Sequence, residues 1–128
     1  MSAWRAYLAV GIGSGVGSVL RYGVSLLSQA ALGGYFPWGT LIVNVLGSCL
    51  IGWLAATFSR SPHSPLARLQ PLLVAGFCGG FTTFSLFSLE TLYLVQVGKP
   101  AMALVYIVVS LPLWLGAAVM GERMALSR

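Results

Sequence analysis

Charged residues are scarce in this chain. Only 7% of its 128 residues are Asp, Glu, Lys or Arg, whereas a soluble domain carries about 25%. So few charges cannot cover a surface that faces water. The hydrophobic fraction of 58% and the mean hydropathy of +0.90 therefore indicate an integral membrane protein. The length suits one small helical bundle, so we treat residues 1–128 as a single domain.

Catalytic residue types are also scarce. The chain has one histidine, two cysteines and two acidic residues, with no CxxC pair, no pair of acids on one helix and no phosphate-binding loop. These absences argue against an enzyme. The net charge of +5 is not gathered into a basic run, which argues against a nucleic-acid partner.

Four apolar segments are long enough to cross a bilayer, which takes about 20 helical residues. They span about residues 4–27, 40–58, 72–97 and 101–120. Short loops join them, so consecutive helices are expected to be antiparallel neighbours. The sequence therefore predicts an all-α protein with four transmembrane helices, in the inner (plasma) membrane.

The basic residues are distributed unevenly between the two ends of these segments. Arg5, Arg60, Arg68, Arg123 and Arg128 would lie on one side of the membrane, whereas the loops of the other side contain Lys99 alone. Basic loops stay in the cytoplasm. Both termini are therefore predicted to be cytoplasmic.

The third segment is interrupted by polar and flexible residues. Its run from Gly76 to Glu90 contains three glycines, four hydroxyl side chains and a carboxylate. Glycine tolerates irregular backbone, and irregular backbone at membrane depth persists only inside protein or beside a water-filled cavity. We therefore predict a break in the third helix that lines an ion path.

Asn44 is the most polar residue of the second segment and shares a helical face with Thr40 and Ser48. One interpretation is a hydrogen bond to another helix, worth about 1 kcal/mol. The other is that its amide NH₂ donates to a permeating anion. The matching donors on other segments favour the second interpretation.

Aromatic and hydroxyl side chains follow the predicted break. Phe84 and Phe87 are three residues apart, so both rings can face one way, and the positive edge of a phenyl ring can solvate a small anion. Tyr106 and Ser110 present two hydroxyls on one face of the fourth segment. The further hydroxyls near the break belong to Thr83, Ser85 and Ser88.

Besides Arg5 at the start of the first segment, two charged residues lie within the segments. Arg21 has two interpretations: a side chain that reaches the lipid headgroups, or a fixed positive charge in an aqueous vestibule that attracts anions. Glu90 has four interpretations: an interfacial carboxylate, a proton site, a residue at the mouth of the ion path, or a partner for Arg21.

The first segment contains two overlapping small-xxx-small patterns. Gly11 pairs with Gly15, and Gly13 pairs with Gly17. Such patterns form a groove that lets another helix backbone approach closely. We therefore predict a packing role for these glycines.

Three stretches resemble the small bacterial fluoride channels called Fluc or CrcB. They are the glycine-rich first segment with Arg21-Tyr22, the stretch Gly39-Thr40-Leu41-Ile42-Val43-Asn44, and the run from Gly76 to Glu90. The resemblance covers essentially the whole chain. It implies a channel that passively exports fluoride and lowers its cytoplasmic concentration.

The resemblance also implies an assembly and a set of site residues. The family forms a dimer of oppositely oriented subunits, with two fluoride pores along the subunit interface and a structural sodium ion at the centre. By motif position, the backbone carbonyls of Gly79 and Thr82 would hold the sodium. The fluoride pore would be lined by Asn44, Phe84, Phe87, Tyr106 and Ser110, with Thr83, Ser85 and Ser88 in or beside it.

The chain departs from the family pattern in two ways. Leu86 stands where many members have threonine, which removes one hydroxyl from the polar lining. The arginine asymmetry favours one orientation, so a heterodimer with an oppositely oriented homologue is an alternative to a homodimer.

Two other functions remain open at this point. A proton-coupled four-helix exporter would place its essential acid in the first segment, whereas here the only acid within a segment is Glu90, in the third. A membrane scaffold subunit that transports nothing would explain the glycine patterns. It would not explain the hydroxyl and aromatic run.

Overall fold

The computed structural model of the chain describes residues 2–127, and these residues form helices joined by short loops. The α-helices are α1 (Ala3–Leu32), α2 (Trp38–Arg60), α3 (Gly79–Phe81), α4 (Phe84–Gln96) and α5 (Pro100–Leu126), with a 3₁₀ turn at Ala67–Leu69 and a π-helical segment at Pro71–Cys78. Arg128, which the charge argument used, lies outside the described residues.

Four helical spans are long and apolar enough to cross a membrane, as predicted. They are Ala3–Leu32, Trp38–Arg60, Pro71–Gln96 and Pro100–Leu126. The first and last extend beyond their predicted ends at residues 27 and 120. Hydropathy marks only the apolar part of a helix, whereas hydrogen bonding continues through polar residues such as Gln29 and Glu122. α1 ends at Gly33, whose φ of 61° turns the chain.

The third span is broken, as predicted, but the break falls on threonines. Thr82 (φ −93°, ψ 157°) and Thr83 (φ −155°, ψ 120°) are extended and separate α3 from α4. Within residues 2–127, positive φ values occur at Gly33, Gly34 and Gly98, all in turns. The break thus lies inside the predicted run but not on its glycines, since Gly76 is in the π-helical segment and Gly79 and Gly80 are in α3.

Two of these glycines, Gly76 and Gly80, instead allow close packing against α1. The π-helical segment and α3, which we call the first half of the third span, lie along α1. A methyl group added at Gly80 would overlap the Ser14 backbone. One at Gly13 would lie 3.0 Å from the Gly76 Cα, and one at Gly17 would lie 3.2 Å from the Gly80 carbonyl carbon. The predicted packing role of the Gly13/Gly17 pattern is confirmed.

The other small-residue pattern has no such neighbour. Virtual methyl groups at Gly11 and Gly15 meet nothing within 4 Å. This face of α1 is therefore free in the single chain.

α2 and α5 form a second close pair, again through glycine. A methyl group at Gly52 would overlap Ala118, and one at Gly121 would overlap Cys49. Two clusters of buried apolar side chains complete the interior. One contains Leu41, Phe87, Leu94, Ala103 and Tyr106, and the other contains Leu54, Phe58 and Cys78. Because α4 packs on α5 while the first half packs on α1, the two halves of the third span have different neighbours.

Candidate functional site

One side chain satisfies the backbone at the break. The Asn44 Oδ1 accepts a hydrogen bond from the Thr83 N–H at 2.8 Å, and the Asn44 Nδ2 donates to the Thr83 carbonyl at 3.0 Å. Asn44 is buried. A free backbone group at membrane depth costs several kcal/mol, so this amide stabilises the break.

The Asn44 amide thus forms the interhelical hydrogen bond that was one of its two interpretations. The pairing does not remove the other interpretation. The Asn44 NH₂ group has two hydrogens, and the Thr83 carbonyl takes one of them. The second hydrogen is left for a ligand.

The break also frees backbone carbonyl groups, among them those of Gly79 and Thr82. In an unbroken helix the Thr83 N–H would donate to the Gly79 carbonyl and the Leu86 N–H to the Thr82 carbonyl. Instead the Thr83 N–H donates to Asn44, and the Leu86 N–H donates to the Thr83 Oγ1 at 3.1 Å. The carbonyls of Gly79 and Thr82 therefore lose their helical donors. The family resemblance implies these same two groups as sodium ligands.

A sodium ion fits this set of groups. Hard cations take oxygen ligands, and backbone carbonyls serve this purpose in ion-selective sites. Residues 2–127 contain no group of three His, Cys, Asp or Glu side chains placed to hold a metal.

Arg21 binds the break rather than reaching freely into solvent. Its Nε donates to the Gly80 carbonyl at 3.1 Å, and the Ser18 hydroxyl donates to the same oxygen at 3.4 Å. A cation near the last carbonyls of a helix is electrostatically favourable. The contact attaches α1 to the end of the first half. Its predicted vestibule role stays a prediction.

Glu90 has a partner other than Arg21. The Tyr106 hydroxyl donates to the Glu90 Oε1 at 2.9 Å. Tyr106 is completely buried, with 0% exposure. Among the roles considered for Glu90, the ion pair with Arg21 is therefore wrong, since Arg21 instead donates to the Gly80 carbonyl.

The two phenylalanines of α4 are neighbours in different surroundings. Their ring centroids are 5.5 Å apart. Phe87 is 5% exposed and contacts Tyr106 (4.8 Å) and Trp114 (4.7 Å), whereas Phe84 is 60% exposed. One ring is thus fixed in the interior, and the other lies on a surface of the single chain.

The remaining predicted hydroxyls separate into two groups. Ser110 is fully buried near the aromatic cluster. Ser85 and Ser88 lie on the exposed side of α4, where the Ser88 hydroxyl donates to the Phe84 carbonyl at 3.1 Å and the Ser85 Oγ lies 3.4 Å from the Thr83 Oγ1. The structure therefore does not bring all the predicted pore residues to one surface.

A cavity of about 290 Å³ gathers several of them at the break. Its lining consists of Asn44, Gly47, Ser48, Ile51, Thr82, Thr83, Phe84 and Trp114. Trp114 was not predicted as a site residue. Its position eight residues after Tyr106 and four after Ser110 placed it on the same helical face, which was the available signal.

Two buried polar atoms near these residues, the Ser110 Oγ and the Trp114 Nε1, lack a hydrogen-bond partner among residues 2–127. The Thr40 hydroxyl, which is also buried, interacts with the side chains of Glu90 and Tyr106. Buried polar groups are nearly always paired, so each exception calls for an explanation.

The structure is that of a small multi-pass membrane protein. It has four membrane-crossing helices, a broken third span and a polar cavity beside the break. Comparison with protein families is more specific. The model of the family described as "CrcB-like protein, Camphor Resistance (CrcB)" matches residues 8–122. The chain belongs to this family, which confirms the resemblance predicted from the motifs.

Individual relatives carry a functional name. A protein of Nitrobacter hamburgensis named "Fluoride-specific ion channel FluC 1" is 44% identical over 118 residues, covering 92% of this chain and 93% of the relative. A Thermus thermophilus protein named "Fluoride-specific ion channel FluC" is 48% identical over the same length and shares of both chains. A Yersinia pestis relative named "Fluoride-specific ion channel FluC 1" is 50% identical over 101 residues, covering 78% of this chain and 77% of the relative. The family is one of ion channels, so the prediction that the chain is not an enzyme is confirmed.

Proposed function

We propose that this chain is a fluoride-specific channel that lets fluoride leave the cytoplasm down its electrochemical gradient. The observation that carries the proposal is the cavity at the break, where the Asn44 amide, the Thr83 hydroxyl and the exposed Phe84 ring meet. Relatives that cover nearly the whole chain and are named fluoride-specific channels support the choice of ion.

The proposed mechanism replaces the water around fluoride with protein donors. Fluoride is compact and strongly hydrated, so a pore must supply donors as it removes water. Amide N–H, hydroxyl and phenyl-edge groups do so without a full buried positive charge. Conduction requires binding weak enough for the ion to leave, which a lone cation in the path would prevent.

The single chain leaves this site open, which supports assembly with a second copy. Phe84 is 60% exposed, and the Gly11/Gly15 face of α1 has no neighbour. In the proposed dimer, an oppositely oriented subunit covers these surfaces and completes each pore at the interface. The bias of described arginines toward one end, at positions 5, 60, 68 and 123, keeps a homologue of opposite orientation as the alternative partner.

A structural sodium ion at the dimer centre is part of the proposal. Two breaks meeting at a twofold axis bring together the freed carbonyls of Gly79 and Thr82 from both chains, which gives four oxygens. The chemistry supplied is charge compensation for carbonyls that have no donor. Dimer assembly and fluoride flux are measured after sodium is replaced by a large organic cation. Unchanged assembly and flux would remove the sodium from the proposal.

Fluoride efflux from liposomes containing the purified chain tests the function directly. A fluoride electrode records the release of fluoride, and a chloride electrode records a parallel preparation. We expect rapid fluoride efflux, no measurable chloride efflux and no requirement for a proton gradient. Vesicles that retain fluoride would overturn the proposal and favour the scaffold function, and efflux that requires a proton gradient would favour the exporter.

A further inference from the structure

The Trp114 indole has a donor that the protein leaves unused. Its Nε1 is shielded from water, yet no acceptor within residues 2–127 bonds to it. An indole N–H can only donate, and a buried donor without an acceptor costs about 1–3 kcal/mol. The folded protein retains this unfavourable free energy, so a ligand that accepts the hydrogen bond would offset it.

The surroundings of Trp114 are those of the proposed ion path. The side chain lines the cavity that contains Asn44, Thr83 and Phe84. Its ring meets Phe87 in an edge-on arrangement, with centroids 4.7 Å apart and an interplanar angle of 72°. Trp114 therefore packs on the buried Phe87 and shares the cavity lining with the exposed Phe84.

A second unpaired polar group lies one helical turn away. The Ser110 hydroxyl is fully buried and has no partner among the described residues. Four residues correspond to about 6 Å along a helix. Two adjacent donors without protein acceptors, on one face of α5, form a row that suits a small anion moving between weak sites.

We propose that the Trp114 indole N–H is a fluoride-binding donor of the ion path, in series with the Ser110 hydroxyl. The inference rests on the proposed function and adds a residue to it. The indole supplies a neutral N–H, which binds an anion without the strong hold of a cation. No carboxylate lines the cavity beside it.

Trp114→Phe is the main variant, because it keeps an aromatic ring near Phe87 and removes the N–H donor together with part of the indole. Trp4→Phe is the matched control, since Trp4 lies on the exposed surface at the start of α1. Both variants are reconstituted at equal density after a check that they remain monodisperse dimers. We expect Trp114→Phe to lower fluoride efflux about tenfold, because hydrogen bonds to ions are stronger than neutral ones. Trp4→Phe should leave efflux unchanged.

A spectroscopic readout separates ion binding from packing. The chain contains four tryptophans, so the ¹⁵N-indole resonance of Trp114 in the wild-type protein is assigned by its absence from Trp114→Phe. We expect sodium fluoride to shift this resonance and sodium chloride at equal concentration to leave it in place.

The outcomes distinguish this inference from the function on which it rests. If the wild type conducts fluoride, Trp114→Phe conducts equally and the resonance does not move, the inference is overturned and the channel function stands. If the wild type does not conduct but fluoride shifts the resonance, the channel function fails and the anion site stands.

Discussion

The two halves of the third span pack by opposite means. The first half meets α1 backbone to backbone, with glycines on both sides and no room for a methyl group at Gly80. α4 meets α5 through large rings, with Phe87 between Tyr106 and Trp114. The first contact specifies a distance between helices. The second leaves polar atoms unpaired inside the protein, which is the property an ion path requires.

The largest effect is expected from a substitution that separates the first half of the third span from α1. Gly80→Val should prevent stable folding, because its side chain would overlap the Ser14 backbone, which cannot move aside. Gly116→Val is the control, since a methyl group at Gly116 in α5 meets nothing within 4 Å. Size-exclusion profiles and thermal unfolding in detergent report the result. A Gly80→Val protein as stable as Gly116→Val would contradict the packing described.

Removal of the Asn44 side-chain amide should have the next largest effect on stability. Asn44→Ala leaves the Thr83 N–H without an acceptor and removes one of the two hydrogen bonds to the Thr83 carbonyl, which still accepts the first hydrogen bond of α4. One unpaired buried group costs about 1–3 kcal/mol. We expect a large drop in unfolding temperature and loss of fluoride efflux.

Ser48→Ala provides the comparison for Asn44→Ala, because Ser48 lines the same cavity and lies on the same helix. It should remain close to the wild type in stability. Equal stability of the two variants would show that the Asn44 pairing contributes nothing to the break.

Phe84 and Phe87 separate packing from the ion path, since Phe87 is buried and Phe84 is exposed. Phe87→Ile should lower stability by about 1–3 kcal/mol, because it removes ring contacts from a packed interior. Phe84→Ile should change the stability of the solubilised chain little. Both should lower fluoride efflux strongly. Wild-type efflux in Phe84→Ile would remove the exposed ring from the ion path.

Glu90→Gln is expected to have the smallest effect. Glutamine keeps an oxygen that accepts the Tyr106 hydrogen bond and removes the charge. A passive channel should retain fluoride efflux within about threefold of the wild type, a change of less than about 1 kcal/mol. A proton-coupled exporter would lose all transport, so liposome efflux with and without a proton gradient decides between the two.

Much of the fold could be predicted from composition alone. Runs of apolar residues with few charges give the four spans, because the bilayer fixes the length of a helix that crosses it. The Gly13/Gly17 pattern predicted packing correctly. The location of the break was less predictable, because a glycine can serve either a turn or a close contact and the sequence does not show which neighbour is present.

The candidate site was predicted only in part. Asn44 was identified as polar and inward-facing, but its double hydrogen bond to Thr83 joins residues 39 positions apart. No local sequence pattern reveals a contact between residues so far apart in the chain. The unpaired indole of Trp114 was missed for a similar reason, since whether a donor is satisfied depends on every element packed around it.

The arrangement of neighbours around Thr82 and Thr83 has a mechanical consequence. The first half is attached to α1 through backbone contacts and the Arg21 hydrogen bond, while α4 is attached to α5 through its aromatic side chains. Any shift of α1 relative to α5 must therefore be absorbed by two extended residues. The two hydrogen bonds from Asn44 to the Thr83 backbone restrain this segment.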